Sequence, residues 1–247
     1  MVKRSPLRRR PLHVPGQSLD QEIQRLRAEE MATYILYGGI FFVLAIVEWF
    51  RSFTPTASLR VPLTVVALGA IAYSVYQIIR IRKKIKYLEL GREGERAVAE
   101  VLDGLRAKDY AVLHDIVAGD FNVDHVVISP HGIYAIETKT LRKPPLGEIS
   151  FSGDELIAGG FNLGSDPIRQ VTAEAKWIQD LLAESTGRKF PVRPVLIFPG
   201  WFVQPMPKEV QERVWVLNPK VLSSFIANEP VVLSKPDMHL AAFHLAS

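Results

Sequence analysis

The chain contains no cysteine. Disulfides and thiolate metal sites are therefore excluded. Three catalytic signatures are missing as well: the Gly-rich P-loop, G-x-S-x-G and H-E-x-x-H. The chain also lacks a strong excess of one charge. Its 30 basic and 26 acidic residues leave a net +4, too little to argue for nucleic acid from bulk electrostatics. Where the charge sits matters more than its sum. His114 and His131 show no ligand spacing, so no zinc site is predicted.

Apolar residues, by contrast, are abundant, and they are concentrated near the N-terminus. Met31 to Phe50 is nearly all apolar, with Glu48 its one charge, and Val61 to Ile79 is a second run without any. About 20 such residues span a bilayer core. Both runs are apolar on every face, unlike a helix that buries only one stripe. The reading is a transmembrane helical hairpin over residues 31–80, with Arg51 to Arg60, including Pro55, as its linker. Before it, residues 1–30 form a basic tail (Lys3, Arg4, Arg8, Arg9, Arg10) and a short polar helix that starts in a capping box at Ser18–Gln21. After it come Arg80, Arg82, Lys83, Lys84 and Lys86. Lys and Arg near span ends favour the cytoplasmic side, so both termini are predicted to be cytoplasmic. The cluster at 80–86 is placed against anionic headgroups. The Gly38-Gly39 and Gly69-Ala70 pairs allow close helix contacts and leave room for a homodimer.

Gly91-Arg-Glu-Gly94-Glu95 opens a second region, residues 88–228, followed by a tail at 229–247 without a clear pattern. A helix is predicted from about Glu93 to Ala107, then a strand over Tyr110–Val117. A second hairpin follows about Gly153-Asp154, with Gly159 to Ser165 as loop. Asp166 and Pro167 start a helix that Gly187 ends. Val192–Phe198 and Val214–Leu217 read as strands, and Asn218-Pro219 starts a last helix. The expected fold is two transmembrane α-helices followed by an α/β domain, a mixed sheet flanked by helices.

At the centre of this region two β-branched apolar runs flank the turn Ser129-Pro130-His131-Gly132. With Ser129 opposite Gly132, Asp124 faces Glu137 and Asn122 faces Lys139. Directly opposed side chains lie roughly 5 Å apart at Cβ, and like charges so placed are destabilising. Glu137 and Lys139 share a face, while His125 points to the other side from Asp124, a structural position. A divalent cation with oxygen ligands would compensate the carboxylates. Lys139 would stabilise charge on a phosphate. The competing reading is a structural ion pair. Glu95, in the first turn of its helix, would by itself complement the helix dipole. Arg142, Lys143, Arg188, Lys189 and Arg193 read as a solvated face, and Trp177 and Trp201 as packing residues.

The four motifs Gly91-x-x-Gly94-Glu95, Asn122-Val-Asp124-His125, Ile136-Glu137-Thr-Lys139 and Asp166-Pro167-x-x-Gln170 together resemble the nuclease-related domain (NERD) of the PD-(D/E)XK phosphodiesterase superfamily. The resemblance covers roughly Leu90 to Asn228. It implies a restriction-endonuclease-like fold and Mg²⁺-dependent cleavage of nucleic acid, DNA sooner than RNA, with Mn²⁺ as a substitute ion. On that resemblance Asp124, Glu137 and Glu95 are metal ligands, Lys139 positions the water and supports the phosphate, and Gln170 contacts substrate. Two departures stand out. Glu174 occupies the place of a tyrosine often found four residues after that glutamine, and no tryptophan follows Lys139 closely.

Two functions follow as expectations. One is a membrane-anchored, metal-dependent endonuclease. The other is an inactive nucleic-acid-binding or protein-interaction module tethered to the bilayer. A channel or transporter is disfavoured, because two helices with hardly any intramembrane polar residue offer no pathway.

Overall fold

The computed structural model describes residues 14–50, 60–118, 121–142, 147–152 and 155–246. The basic tail before residue 14, the linker around Pro55, the Lys143-Pro-Pro145 break and the Gly153-Asp154 turn lie outside the described residues. The chain divides into two compact units, Ser18–Leu90, and Gly91–Ser247 together with Met1–Gln17.

In the first unit α1 (Gln17–Arg25) passes through a π-helical turn, Leu26–Met31, into α2 (Ala32–Phe50). The predicted polar helix therefore does not end near Glu30. No glycine or proline stands there to stop it. Helix α3 (Arg60–Asp103) is likewise one element, where separate helices at 61–79 and 93–107 were expected. Gly91 and Gly94 fall inside it. A helical glycine costs only about 1 kcal/mol relative to alanine, which weakens a helix without ending it. α2 and α3 meet in antiparallel fashion: Tyr34 packs edge-on to Tyr73 at 6.1 Å, and the Trp49 indole donates to Thr64 at 3.0 Å. Both are long and apolar enough to cross a membrane. α2 has no buried residue, unlike the core helix of a soluble protein.

The second unit is built on a five-stranded mixed sheet in the order β1-β2-β3-β7-β9. Its strands are β1 (Ala111–Ala118), β2 (Phe121–Ser129), β3 (Gly132–Thr138), β7 (Val192–Ile197) and β9 (Trp215–Leu217). The first two pairings are antiparallel and the last two parallel. The hairpin register is the predicted one, with Ser129 opposite Gly132 and His125 opposite Ile136. β3 is buried along its whole length, as a strand with neighbours on both sides and helices on both faces must be. A smaller sheet has the order β6-β5-β4-β8. It contains β4 (Glu148–Ser152), β5 (Glu155–Ala158), β6 (Phe161–Gly164) and β8 (Phe202–Val203). β6 lies where loop was expected.

Helix α4 (Asp166–Thr186) carries the crossover from the β3 side of the chain to β7. Ser165 is its N-cap, one residue earlier than expected, and Gly187 ends it at φ 69°. α4 and α7 (Lys235–Leu245) cover one face of the main sheet through Ile178, Leu182, Met238 and Ala241. α3 and α6 (Pro219–Ala227) cover the other through Val98, Leu102, Leu222 and Ile226. A short helix, α5 (Lys208–Gln211), precedes β9. α7 lies in the tail that showed no pattern. The Ser234 hydroxyl caps it by accepting from the Asp237 N–H at 3.3 Å, a local signal that its weak periodicity hid.

One glycine sets how closely α3 approaches the sheet. A Cβ placed on Gly94 would come within 1.6 Å of Thr140 Oγ1 and 2.7 Å of Thr140 Cβ. Gly94→Ala should gain about 1 kcal/mol of helix propensity and lose more to the clash, since overpacking costs about 1–3 kcal/mol. The net expectation is a lower melting temperature for Gly94→Ala, recovered in part when Thr140→Gly is added. An unchanged melting temperature in the single variant would show that α3 and Thr140 do not meet this way.

Candidate active site

β3 runs fully buried to its C-terminal end, and there it carries Glu137. The β2–β3 ladder ends at the His125–Ile136 pair. Beyond it Asp124 Oδ2 accepts a hydrogen bond from the Thr138 N–H at 2.8 Å. Asp124 thus lies near Glu137, one residue past the last paired position of the hairpin. Lys139 does not continue the pairing with Asn122. Its N–H donates to Ile197 O of β7 at 2.8 Å, and Asn122 is opposite Val117 of β1. The N–H groups of β3 alternate between its neighbours here, Thr138 towards β2 and Lys139 towards β7.

Lys139 still turns its side chain onto the face of Glu137. Its ammonium lies 2.6 Å from Glu137 Oε1 and 2.8 Å from Gln170 Oε1. Gln170 sits on α4, and its amide donates to Glu137 Oε1 at 2.8 Å and to Glu174 Oε1 at 2.9 Å. The glutamine and Glu174 are one helical turn apart, so both face the strand end. Glu95 arrives from α3 on the opposite face of the sheet, next to Gly94. Asp124, Glu137, Lys139, Glu95 and Gln170 are therefore brought together.

Two acidic members were not singled out from the sequence. Asp115 lies on β1 between His114, paired with His125, and Ile116, paired with Val123. That register sets it across from Asp124. It is buried, with φ 49°, and its charge acts on Glu95. A lone acid within an apolar strand was the available signal. Glu174 was noted only as a departure from a tyrosine, and it is 2% exposed.

Five carboxylates in so little water cannot all keep their charge cheaply. Burial, with repulsion from Glu137 and Glu95, holds the Asp124 carboxyl well above its usual range. Burial, Asp115 and Glu137 push Glu95 up to about 7, against a hydrogen bond from the Gly16 N–H. Burial and Glu137 push Glu174 up to about 8, opposed by Gln170 and Lys139. Glu137 Oε2 and Glu174 Oε2 are buried without a hydrogen-bond partner. A proton on Glu174 shared with Glu137 answers that need. A cation answers it equally well. Among the described residues no three donors are gathered to chelate an ion. In donor chemistry the cluster fits a hard divalent cation, which takes carboxylate oxygens and keeps several waters.

The remaining candidates fall outside this cluster. His125 is on the opposite face, as alternation required. Its Nδ1 is 2.9 Å from Nδ1 of His114, whose Nε2 is 3.3 Å from Asp103. Burial and the His114 charge hold His125 down at about 3, a neutral structural ring. Arg188 pairs with Asp237. Arg193 pairs with Glu229 and lies over the Trp215 ring. Trp177 packs edge-on to Phe121, and buried Trp201 donates to Leu141 O.

A mixed sheet flanked by helices, with Asp124, Glu137 and Lys139 converging at the C-terminal end of β3, fits an α/β nuclease-like fold. More narrowly, residues 90–199 match the family model of the nuclease-related domain (NERD). No curated protein and no solved structure matches the chain.

The raised carboxyls make stability fall as pH rises. Glu95 and Glu174 hold their protons more tightly folded than unfolded, so the stability they lend is full below about pH 4.5 and is lost through about pH 7 and 8. The neutral His125 works in the opposite direction, but only below its unfolded value near 6.5. Between about pH 6.5 and 8, in EDTA, the full chain in detergent should therefore lose stability, by about 1.4 kcal/mol per pH unit for each proton released. Glu174→Gln should flatten that slope. A wild-type melting temperature that stays level over this range would contradict the carboxyl assignments.

Proposed function

We propose that the NERD domain hydrolyses phosphodiester bonds in nucleic acid, DNA foremost, with Mg²⁺ or Mn²⁺ as its ion. The observation that carries this reading is the convergence of Asp124, Glu137 and Lys139 at one strand end, with Gln170 beside them. Asp124, Glu137 and Glu95 are the residues that would hold the ion. When bound, such an ion offsets charge on the phosphate and lowers the pKa of a bound water.

The chain's own residues supply the rest. Glu137 and Gln170 fix the Lys139 ammonium through two short hydrogen bonds, so its charge is preorganised. There it supports the negative charge that grows on a phosphate oxygen and orients the attacking water. Gln170 keeps one amide and one carbonyl at the same point and is the contact offered to substrate. Glu174, held neutral near neutral pH, adds no repulsion towards an incoming phosphate. Residues 31–80 serve as a transmembrane hairpin, and the nuclease domain, residues 88–228, lies on the cytoplasmic side. Gly39 and Gly69 have open space at Cβ, a surface on which a second copy could pack.

A second reading has one observation in its favour. The Lys139–Glu137 ion pair and the bridging Gln170 already satisfy one oxygen of Glu137, and no three donors among the described residues are gathered for an ion. A tethered binding module without catalysis has the same appearance.

Cleavage and ion binding separate the two. The full chain in detergent, incubated with labelled DNA and RNA, should cleave only with Mg²⁺ or Mn²⁺. Asp124→Asn and Lys139→Ala should each lower the rate on the order of a hundredfold or more. Mg²⁺ at about a hundred times its dissociation constant should stabilise the protein by about 2.7 kcal/mol. The effect should be larger at pH 8 than at pH 6, because ion and protons compete for the same carboxylates. Full activity in both folded variants would refute the nuclease site. Absence of both cleavage and ion-linked stabilisation would establish the binding module.

A further inference from the structure

The N-terminal unit has a cationic feature that the nuclease reading does not use. α1 and α3 pack through Ile23, Leu26, Ile81 and Ile85. Beside that contact a groove of about 470 Å³ opens. On the α1–α2 side its lining runs from Arg27 through Met31 to Ile35. On α3 it runs from Lys86 through Ile85 to Arg82. Glu89 also lines it and pairs with Arg27 at 2.5 Å. Three cations and one carboxylate leave two net positive charges. Met31 and Ile35 lie where the long apolar run of α2 begins, with Arg27 just before it, and Arg82 and Lys86 lie where the apolar run of α3 has just ended.

The backbone is unusual at the same place. The single π-helical turn, Leu26–Met31, contributes Arg27 and Met31 to the lining. Single π turns within α-helices are uncommon and are frequently found at functional sites. Ile35 remains 58% exposed, so none of the described residues covers its apolar surface.

We propose that this groove binds an anionic phospholipid, with the phosphate between Arg27, Arg82 and Lys86 and an acyl chain along Met31 and Ile35. The proposal rests on the reading of residues 31–80 as a membrane hairpin. The charge pattern selects the ligand. A guanidinium pair and an ammonium suit a phosphate oxygen cluster, the excess of two charges favours a lipid that is itself anionic, and the apolar continuation excludes a ligand without a hydrocarbon chain.

The test uses the full chain in a neutral detergent, with thermal unfolding followed on adding phosphatidylglycerol, phosphatidylcholine of the same chains, or inorganic phosphate. Phosphatidylglycerol should raise the melting temperature and the other two should not. Arg82→Gln with Lys86→Gln, which leaves the Arg27–Glu89 pair intact, should weaken the apparent affinity for phosphatidylglycerol about thirtyfold, at about one cationic contribution each. Lys83→Gln, an exposed α3 cation outside the groove, should leave it unchanged. Equal stabilisation by phosphatidylcholine, a shift by phosphate alone, or equal losses in the Lys83 and the double variants would overturn the groove while leaving the anchor intact. A chain that stays monodisperse without detergent and binds no vesicle would overturn the anchor and the groove together.

Discussion

Repulsion among buried carboxylates is the constraint that shapes the α/β unit of this molecule. Asp124 and Glu137 come together just past the end of the hairpin ladder, and Glu95, Asp115 and Glu174 arrive from three other elements. Each neighbour at the site relieves part of the repulsion. Lys139 answers Glu137, the Thr138 N–H answers Asp124, the Gly16 N–H answers Glu95, and Gln170 ties Glu137 to Glu174. What is left over appears as raised carboxyl affinities for protons.

That cluster exists because the helices on both faces of the sheet reach the same strand end. On one face α3 comes close only because Gly94 has no side chain against Thr140. On the other, α4 presents Gln170 and Glu174 one turn apart while Ile178 and Leu182 sink into the core. The apolar stripe of α4 and its polar one are set by the same helical period, so packing and site are positioned together. β3, between an antiparallel and a parallel neighbour, fixes the third coordinate. At its end Thr138 still donates towards β2, to Asp124, while Lys139 donates to Ile197 of β7.

Much of this was legible in the sequence for physical reasons. A Pro/Gly turn between β-branched runs fixes a register, and the register puts Asp124 across from Glu137. Alternation sends His125 the other way. The apolar runs of α2 and α3 announce themselves by length. Other features depend on contacts that no local pattern encodes. Asp115 joins the site only through the pairing of β1 with β2. Glu174 reads as a surface residue of an amphipathic helix until α4 is seen to lay that stripe on β3. The loop expected at 159–165 becomes β6 because β5 offers it an edge. α7 escaped because its apolar residues do not repeat with a clear period, and only the Ser234 cap marks its start. The merging of two expected helices into α3 shows that glycines inside an otherwise good helix weaken it without dividing it.

The bond from the Thr138 N–H to Asp124 has a spectroscopic meaning. The main-chain ladder has ended there, so this amide answers to a titrating side chain and to no carbonyl. Its proton resonance will move downfield when Asp124 is ionised and back when the carboxyl is neutral. An ion drawn to Asp124 would displace the same resonance without a change of pH. One backbone amide next to Glu137 is thus a native reporter of the charge in this site, readable in a single labelled sample and free of any substrate.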